Sequence, residues 1–296
     1  MAMRQSDKPQ VALLVTDLDN TLWDWFETWH VSFSAMLRRL EEMSGIPQPQ
    51  LEVEIKAVHQ RRGTSEYSAL LTELPSLQKL HPNGDLLQIY DSAIHVLNSE
   101  RVRTTRLYPG VRETVEELRQ RNVPVVAYTE SVAYWSEWRI KKTGLDGLIS
   151  TLYTAPDHDL PLGLTVNDLR KLPAEEYGLR ATDHRHVPKG VFKPDTSILS
   201  KIITDRGLSP DQVVYVGDSL MKDVVMAQRT GAYDVHAQYG AAQHRPEYEL
   251  LRRVSHWTEE DVERERTISA GGDINPNYTL QREFSELLLH FDFREA

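Results

Sequence analysis

The chain has 296 residues, 40% of them hydrophobic and 26% charged, with a formal net charge of −10 and no cysteine. That length provides ample core for one large or two moderate domains. The missing cysteines exclude disulfides, thiolate metal sites and cysteine nucleophiles, and the acidic balance argues against nucleic acid or an anionic membrane as partner.

No apolar run approaches the roughly 18 residues of a membrane helix. Residues 1–10 are mostly polar, and the apolar run behind them is too short for a signal-peptide core, so the expected compartment is the cytoplasm. Residues 11–16 (VALLVT) read as a strand buried on both faces of a parallel sheet. Asp17, Asp19, Asn20 and Thr21 come directly after it. In a doubly wound sheet, ligands bind beyond the carboxyl ends of the strands. Two carboxylates there repel unless a cation or a proton intervenes. Asp17 is then a candidate nucleophile toward phosphorus, and Asp19 a candidate acid and base. The plainer reading is a capping Asp–Asn–Thr turn.

Residues 23–106 are helical in period and rich in Leu, Glu, Gln and Arg, with stretches at 29–43 and 86–100. They far exceed one crossover and read as an inserted helical module. Within it, Trp23, Trp25, Phe26 and Trp29 are candidates for a pocket mouth, and the polar run 61–67 for a substrate-facing segment. His30 and His59 read as structural. Arg101, Arg103 and Arg106 read as a solvated basic face.

Residues 111–121 place Val111, Val115 and Leu118 on one helical stripe. A second buried strand is read at 123–128, followed by Thr129, Glu130 and Ser131. A hydroxyl with neighbouring N–H groups at such a junction cradles a phosphate, or simply caps a helix. Residues 148–153 form a weaker strand. The stretch 155–190, with Pro156, Pro161, Pro173 and Pro188, reads as a long irregular insertion. Its Asp183, His184, Arg185 and His186 lack the second cluster that zinc requires.

Lys193 precedes Pro194 and Asp195 at the start of a helix read at 196–206. It offsets phosphate charge, or lies on the surface. The third strong strand, 212–217, runs into Gly217–Asp218 with Asp223 five residues on. Oxygen donors of this kind suit Mg²⁺, and the alternative is a cap for the helix that ends at Gly231. A strand is read at 233–237, and the tail after Gly240 looks helical over 280–290. Alternating strands and helices predict an α/β, doubly wound parallel sheet. The conjunction of motifs at strand and helix ends is what phosphoryl transfer needs: positioning, a metal and charge neutralisation.

Asp17-x-Asp19-x-Thr21, Thr129, Lys193 and Gly217–Asp218 with Asp223, in this order, resemble the haloacid dehalogenase superfamily of hydrolases. The resemblance covers roughly residues 10–22 and 107–237. It implies a Rossmann-like core, over 10–22 and 107–240, with 23–106 as a helical cap and 241–296 as an extension without a counterpart. By position, Asp17 is implied as nucleophile and Mg²⁺ ligand. Asp19 is implied as acid/base that lends its carbonyl to the metal, Thr129 and Lys193 as phosphoryl contacts, with Glu130 beside them. Asp218 is implied as a direct ligand and Asp223 as a ligand or its support. Dehalogenases of the superfamily lack the second aspartate, so Asp19 implies a phosphatase or a phosphomutase. The expectation is a Mg²⁺-dependent phosphomonoester hydrolase acting on a small phosphorylated metabolite through an aspartyl phosphate. The alternatives are a phosphomutase or a phospho-acceptor signalling module.

Overall fold

A computed structural model of the chain describes residues 8–157, 160, 163, 165, 170, 172–269 and 274–296. Pro161 and the glycine pair 271–272 lie outside the described residues. In chain order, β1 (Gln10–Val11) and β2 (Leu13–Thr16) lead into helices α1 (Trp25–Ser44), α2 (Gln48–Arg62), α3 (Pro75–Leu80), α4 (Leu86–Ile89) and α5 (Asp91–Thr104). Then come α6 (Val111–Gln120), β3 (Val125–Val132), α7 (Ala133–Thr143), β4 (Thr151–Ala155), β5 (Asp183–His186) and α8 (Ser197–Asp205). The chain finishes with β6 (Val213–Gly217), α9 (Val225–Thr230), β7 (Tyr233–Ala237), α10 (Tyr248–Val254), α11 (Glu259–Ser269), β8 (Tyr278–Leu280), α12 (Leu287–His290) and β9 (Asp292–Phe293).

Seven strands form one parallel sheet in the order β5-β4-β3-β2-β6-β7-β8. Successive side chains of the central strands bury on opposite faces. Leu14, Val125, Ala127, Val214 and Val216 enter one apolar layer. Leu13, Val15, Val126, Tyr128, Val213 and Tyr215 enter the other. The stripe read on α6 is realised, with Val111, Val115 and Leu118 fully buried against the first layer. This is a Rossmann-like α/β sheet with helices on both faces.

The helical segment has an apolar core of its own. Phe26, Phe33, Leu37 and Leu40 of α1 meet Leu51, Ile55 and Val58 of α2. Asp24 caps α1 by accepting from the Glu27 N–H, and Gly45 ends it in the left-handed conformation.

The tail after Gly240 is divided between the two bodies. Tyr248, Leu251 and Val254 of α10 enter the helical segment's core, while β8 extends the main sheet and β9 pairs with β1. The expected helix over 280–290 is therefore corrected. Leu280 ends a strand, and only residues 287–290 form an α-helix, after a single tight turn at 284–286. An open sheet edge at β7 captured Tyr278–Leu280, and the buried carboxylate of Asp234 fixes the join by accepting from the Asn277 N–H at 2.8 Å. The weaker strand starts later than read, at Thr151, and the irregular 155–190 stretch ends in the edge strand β5.

Candidate active site

The strands β2 and β6 are neighbours, with Thr16 opposite Val216. The first residue past β2, Asp17, donates its N–H to the Val216 carbonyl at 2.8 Å. Two sequence segments about two hundred residues apart thus deliver carboxylates to one place. Asp17, Asp218 and Asp223 each present an oxygen within 4.8 Å of the others'.

Lys193 joins this cluster from the segment before α8. Its Nζ donates to Asp17 Oδ1 at 2.6 Å and to Asp223 Oδ1 at 2.8 Å. The ammonium also lies 5.1 and 5.5 Å from the ring centres of Tyr128 and Tyr215. Burial opposes its charge, but Asp17 and Asp223 outweigh that and hold its pKa well above the ordinary value. Asp223 is nearly inaccessible, and both its oxygens are engaged. Oδ1 also accepts from Tyr215 OH at 3.0 Å, and Oδ2 accepts from the Ser219 N–H at 3.1 Å. A π-helical turn, Leu220–Val224, swings Asp223 back under Gly217, where an added Cβ would overlap its carboxylate.

Three carboxylates face one ammonium. Burial pushes the Asp17 carboxyl up to about 7, with Lys193 opposing and Asp223 adding to the rise. Burial, then Asp223 and Asp17, push Asp218 well above the carboxylate range. An all-oxygen set with surplus negative charge fits a hard divalent cation.

Asp19 lies two residues on, but its carboxylate points to a different set of partners. Oδ1 accepts from Trp23 Nε1 at 2.7 Å, and Oδ2 accepts from Ser131 Oγ. Arg139 Nη1 stands 3.6 Å from Oδ1. Arg139 is 1% exposed and is ion-paired through Nη2 with Glu66 of the helical segment. Glu66 in turn accepts from Trp25 Nε1 at 3.0 Å, and its carbonyl accepts from Trp135 Nε1 at 3.0 Å. Burial opposes the Glu66 charge, and Arg139 and Arg101 reverse the balance to hold its pKa low.

Thr129 is buried near the end of β3, and its Oγ1 accepts from the Ser131 N–H at 3.1 Å. The Glu130 side chain has a structural use of its own. Its carboxylate accepts from the Lys193 N–H at 2.7 Å and meets Lys222 Nζ, so it fastens the lysine segment to β3. Both of its oxygens are taken by these donors, which leaves its backbone N–H as the group it offers at the strand end. His184 is likewise occupied, by Thr154 and Glu137 on its two ring nitrogens.

The model of the haloacid dehalogenase-like hydrolase family matches residues 11–231. The chain belongs to that family. No curated protein matches it at a significant level. Among solved structures of haloacid dehalogenase-like proteins, it is similar to a 2-haloacid dehalogenase from Pseudomonas syringae pv. Tomato DC3000. The TM-score is 0.52 at 18% identity, over 94% of this chain and 97% of that one. An HAD phosphatase from Thermococcus onnurineus gives 0.49 at 17% identity, over 94% and 96%. At such identity the likeness to the dehalogenase shows the fold alone, and leaves the reaction of this hydrolase to the site.

Tyr215, Arg139 and Gly240 carry no sequence signal for this site, and Ser131, read beside Thr129, gives none for its bond to Asp19. Tyr215 reads only as part of the third strand. Gly240 matters only because a Cβ there would overlap the Asn20 carbonyl oxygen, in the loop just beyond Asp17 and Asp19.

Proposed function

We propose that this hydrolase is a Mg²⁺-dependent phosphomonoesterase acting on a low-molecular-mass phosphorylated metabolite. The observation that carries the reading is the convergence of Asp17, Asp218, Asp223 and Lys193 at the ends of β2 and β6. Asp19, two residues past Asp17, favours phosphoryl over haloacid chemistry, because it supplies the acid that an alkoxide leaving group needs and a halide does not.

In this mechanism Lys193 holds one oxygen of Asp17 and leaves the other to attack phosphorus. The bond to the leaving oxygen breaks as Asp19 gives that oxygen a proton. A carboxyl-phosphate remains on Asp17. Asp19, now a base, takes a proton from water, which attacks the same phosphorus and frees phosphate and the Asp17 carboxylate. To do this, Asp19 must turn from Trp23, Ser131 and Arg139 toward the substrate. Thr129 and Lys193 are assigned to the phosphoryl oxygens. Asp17, Asp218 and the Asp19 carbonyl are assigned to hold Mg²⁺, with Asp223 fixed behind them by Lys193, Tyr215 and Ser219. The cation supplies neutralisation of the phosphate's charge. Residues 23–106 are assigned as the cap over the site. No helix among the described residues is long and apolar enough to cross a membrane.

The test is turnover of a panel of phosphorylated metabolites and p-nitrophenyl phosphate, with Mg²⁺ and with EDTA. Release of phosphate that requires Mg²⁺ is expected. Interconversion of glucose phosphates without net release would make the protein a mutase. A stable phosphoprotein without turnover would make it a phospho-acceptor.

A further inference from the structure

A cavity of about 1230 Å³, as bounded by the described residues, lies between the helical segment and the start of α7. It adjoins the site through two links. Val132 lines it, next to the Ser131 that holds Asp19. Glu66 also lines it and is paired with the Arg139 that faces Asp19. Much of the wall is apolar, with Phe33, Met36, Leu97 and Trp135. Binding sites for organic molecules commonly measure about 300–1,000 Å³ and are mostly apolar with a few placed polar groups. A leaving group of two or three carbons would leave these walls against water.

Its wall also carries Glu66, Asp85, Asp91, Asp157 and Arg170, and in the last turn of α5 the buried cation Arg101. The sequence placed it on a solvated basic face, yet it is 8% exposed. Its guanidinium lies over the Trp135 ring at 4.0 Å, which covers one face of the group and leaves the in-plane donors. Among the described residues, Nη1 donates to Asn98 Oδ1 at 3.2 Å and no carboxylate is ion-paired with it. A guanidinium has five N–H donors. Glu66, the carboxylate acting on it through space, is committed to Arg139 and Trp25. Arg101 is thus a buried cation with donors to spare in a chamber of mixed apolar and polar lining, joined to the partners of Asp19 through Glu66 and Val132.

Building on the phosphohydrolase reading, we propose that the leaving group is bulky and partly apolar and carries a second anionic group that Arg101 binds in this cavity. Carboxylate and phosphate share the chemistry required, since both accept a forked pair of N–H bonds.

The experiment uses the full chain with Mg²⁺ and three series of phosphate esters: plain alkyl phosphates, ω-carboxyalkyl phosphates and α,ω-alkanediol bisphosphates. Each series runs over increasing chain length. The wild-type protein should prefer an acid-ended ester over the plain one of equal length by about 10- to 100-fold in kcat/KM, the size of a charge-assisted pair. The end group giving the larger ratio identifies the anion. Preference should also rise with chain length. Arg101→Gln should bring the ratio near one, and Arg101→Lys should restore part of it. A second measurement needs no variant: ω-hydroxy acids should inhibit the wild type more strongly than the matching alcohols. Equal turnover of plain and acid-ended esters, with equal inhibition by both alcohols, overturns the inference and leaves phosphohydrolysis standing. A preference that survives Arg101→Gln in folded protein also overturns it. Absence of Mg²⁺-dependent turnover with every ester instead overturns the phosphohydrolase reading.

Discussion

Replacing Asp17 with asparagine should abolish catalysis and stabilise the metal-free protein. Burial lifts the Asp17 carboxyl from 3.8 to about 7 even with Lys193 attached. A carboxyl with a raised folded pKa contributes stability that is complete below the unfolded value and is lost as pH rises through the folded one. At about 1.4 kcal/mol per tenfold, ionised Asp17 costs the metal-free fold roughly 4 kcal/mol above about pH 7. The Asp17→Asn protein escapes that cost. The attraction of Lys193 is already contained in the value of about 7 and is not subtracted a second time. The net expectation is a gain of up to roughly 4 kcal/mol near pH 8, shrinking toward zero near pH 4. Urea unfolding in EDTA at both pH values measures the gain, and p-nitrophenyl phosphate turnover with Mg²⁺ measures the loss. The reasoning fails if the variant is less stable than wild type near pH 8 by as much as near pH 4, or if it retains turnover within a fewfold.

Asp19→Asn should slow turnover by about 10²–10⁴-fold while Mg²⁺ still raises the melting temperature; full-rate turnover removes the acid/base role. Asp218→Ala should abolish the thermal stabilisation by Mg²⁺, and an unchanged Mg²⁺ titration dismisses it as a ligand. Gly240→Ala forces a methyl group against the Asn20 carbonyl, so it should cost about 1–3 kcal/mol and lower turnover by moving the Asp19 loop; wild-type stability and rate would show that the loop yields freely. Burial pushes His59 from 6.5 down to about 4 while its Nδ1 holds the Val254 carbonyl at 2.6 Å. Stability from this group is intact above pH 6.5 and falls as pH drops toward 4, by roughly 3 kcal/mol in all. Urea midpoints of wild type and His59→Gln across that window should converge as pH falls, and parallel curves would refute it.

The chemistry-bearing segments are readable locally because each sits at the end of an apolar run. VALLVT and VVYVG can bury only as central parallel strands, and the residue just past such a strand must stand at the sheet's carboxyl edge. That reasoning alone places Asp17 and Asp218 on one edge and the α6 stripe against the sheet. Nothing local places Arg139, and the polar run 61–67 gives no sign that its Glu66 pairs with it, because that pairing depends on a helix from one segment docking on a turn from another. Arg101 reads as a surface arginine for the same reason. Burial belongs to the packed assembly, and α5 turns that side chain onto Trp135 only once both helices are in place. The tail shows the limit most clearly. Residues 278–280 have little strand signal of their own, and they become a strand because β7 offers an unpaired edge that must be satisfied. Side-chain type and period, which are properties of neighbours in the chain, set the core and the nucleophile loop. Partners far apart in the chain decided the orientation of Asp19, the use of Glu130 and the cavity beside them.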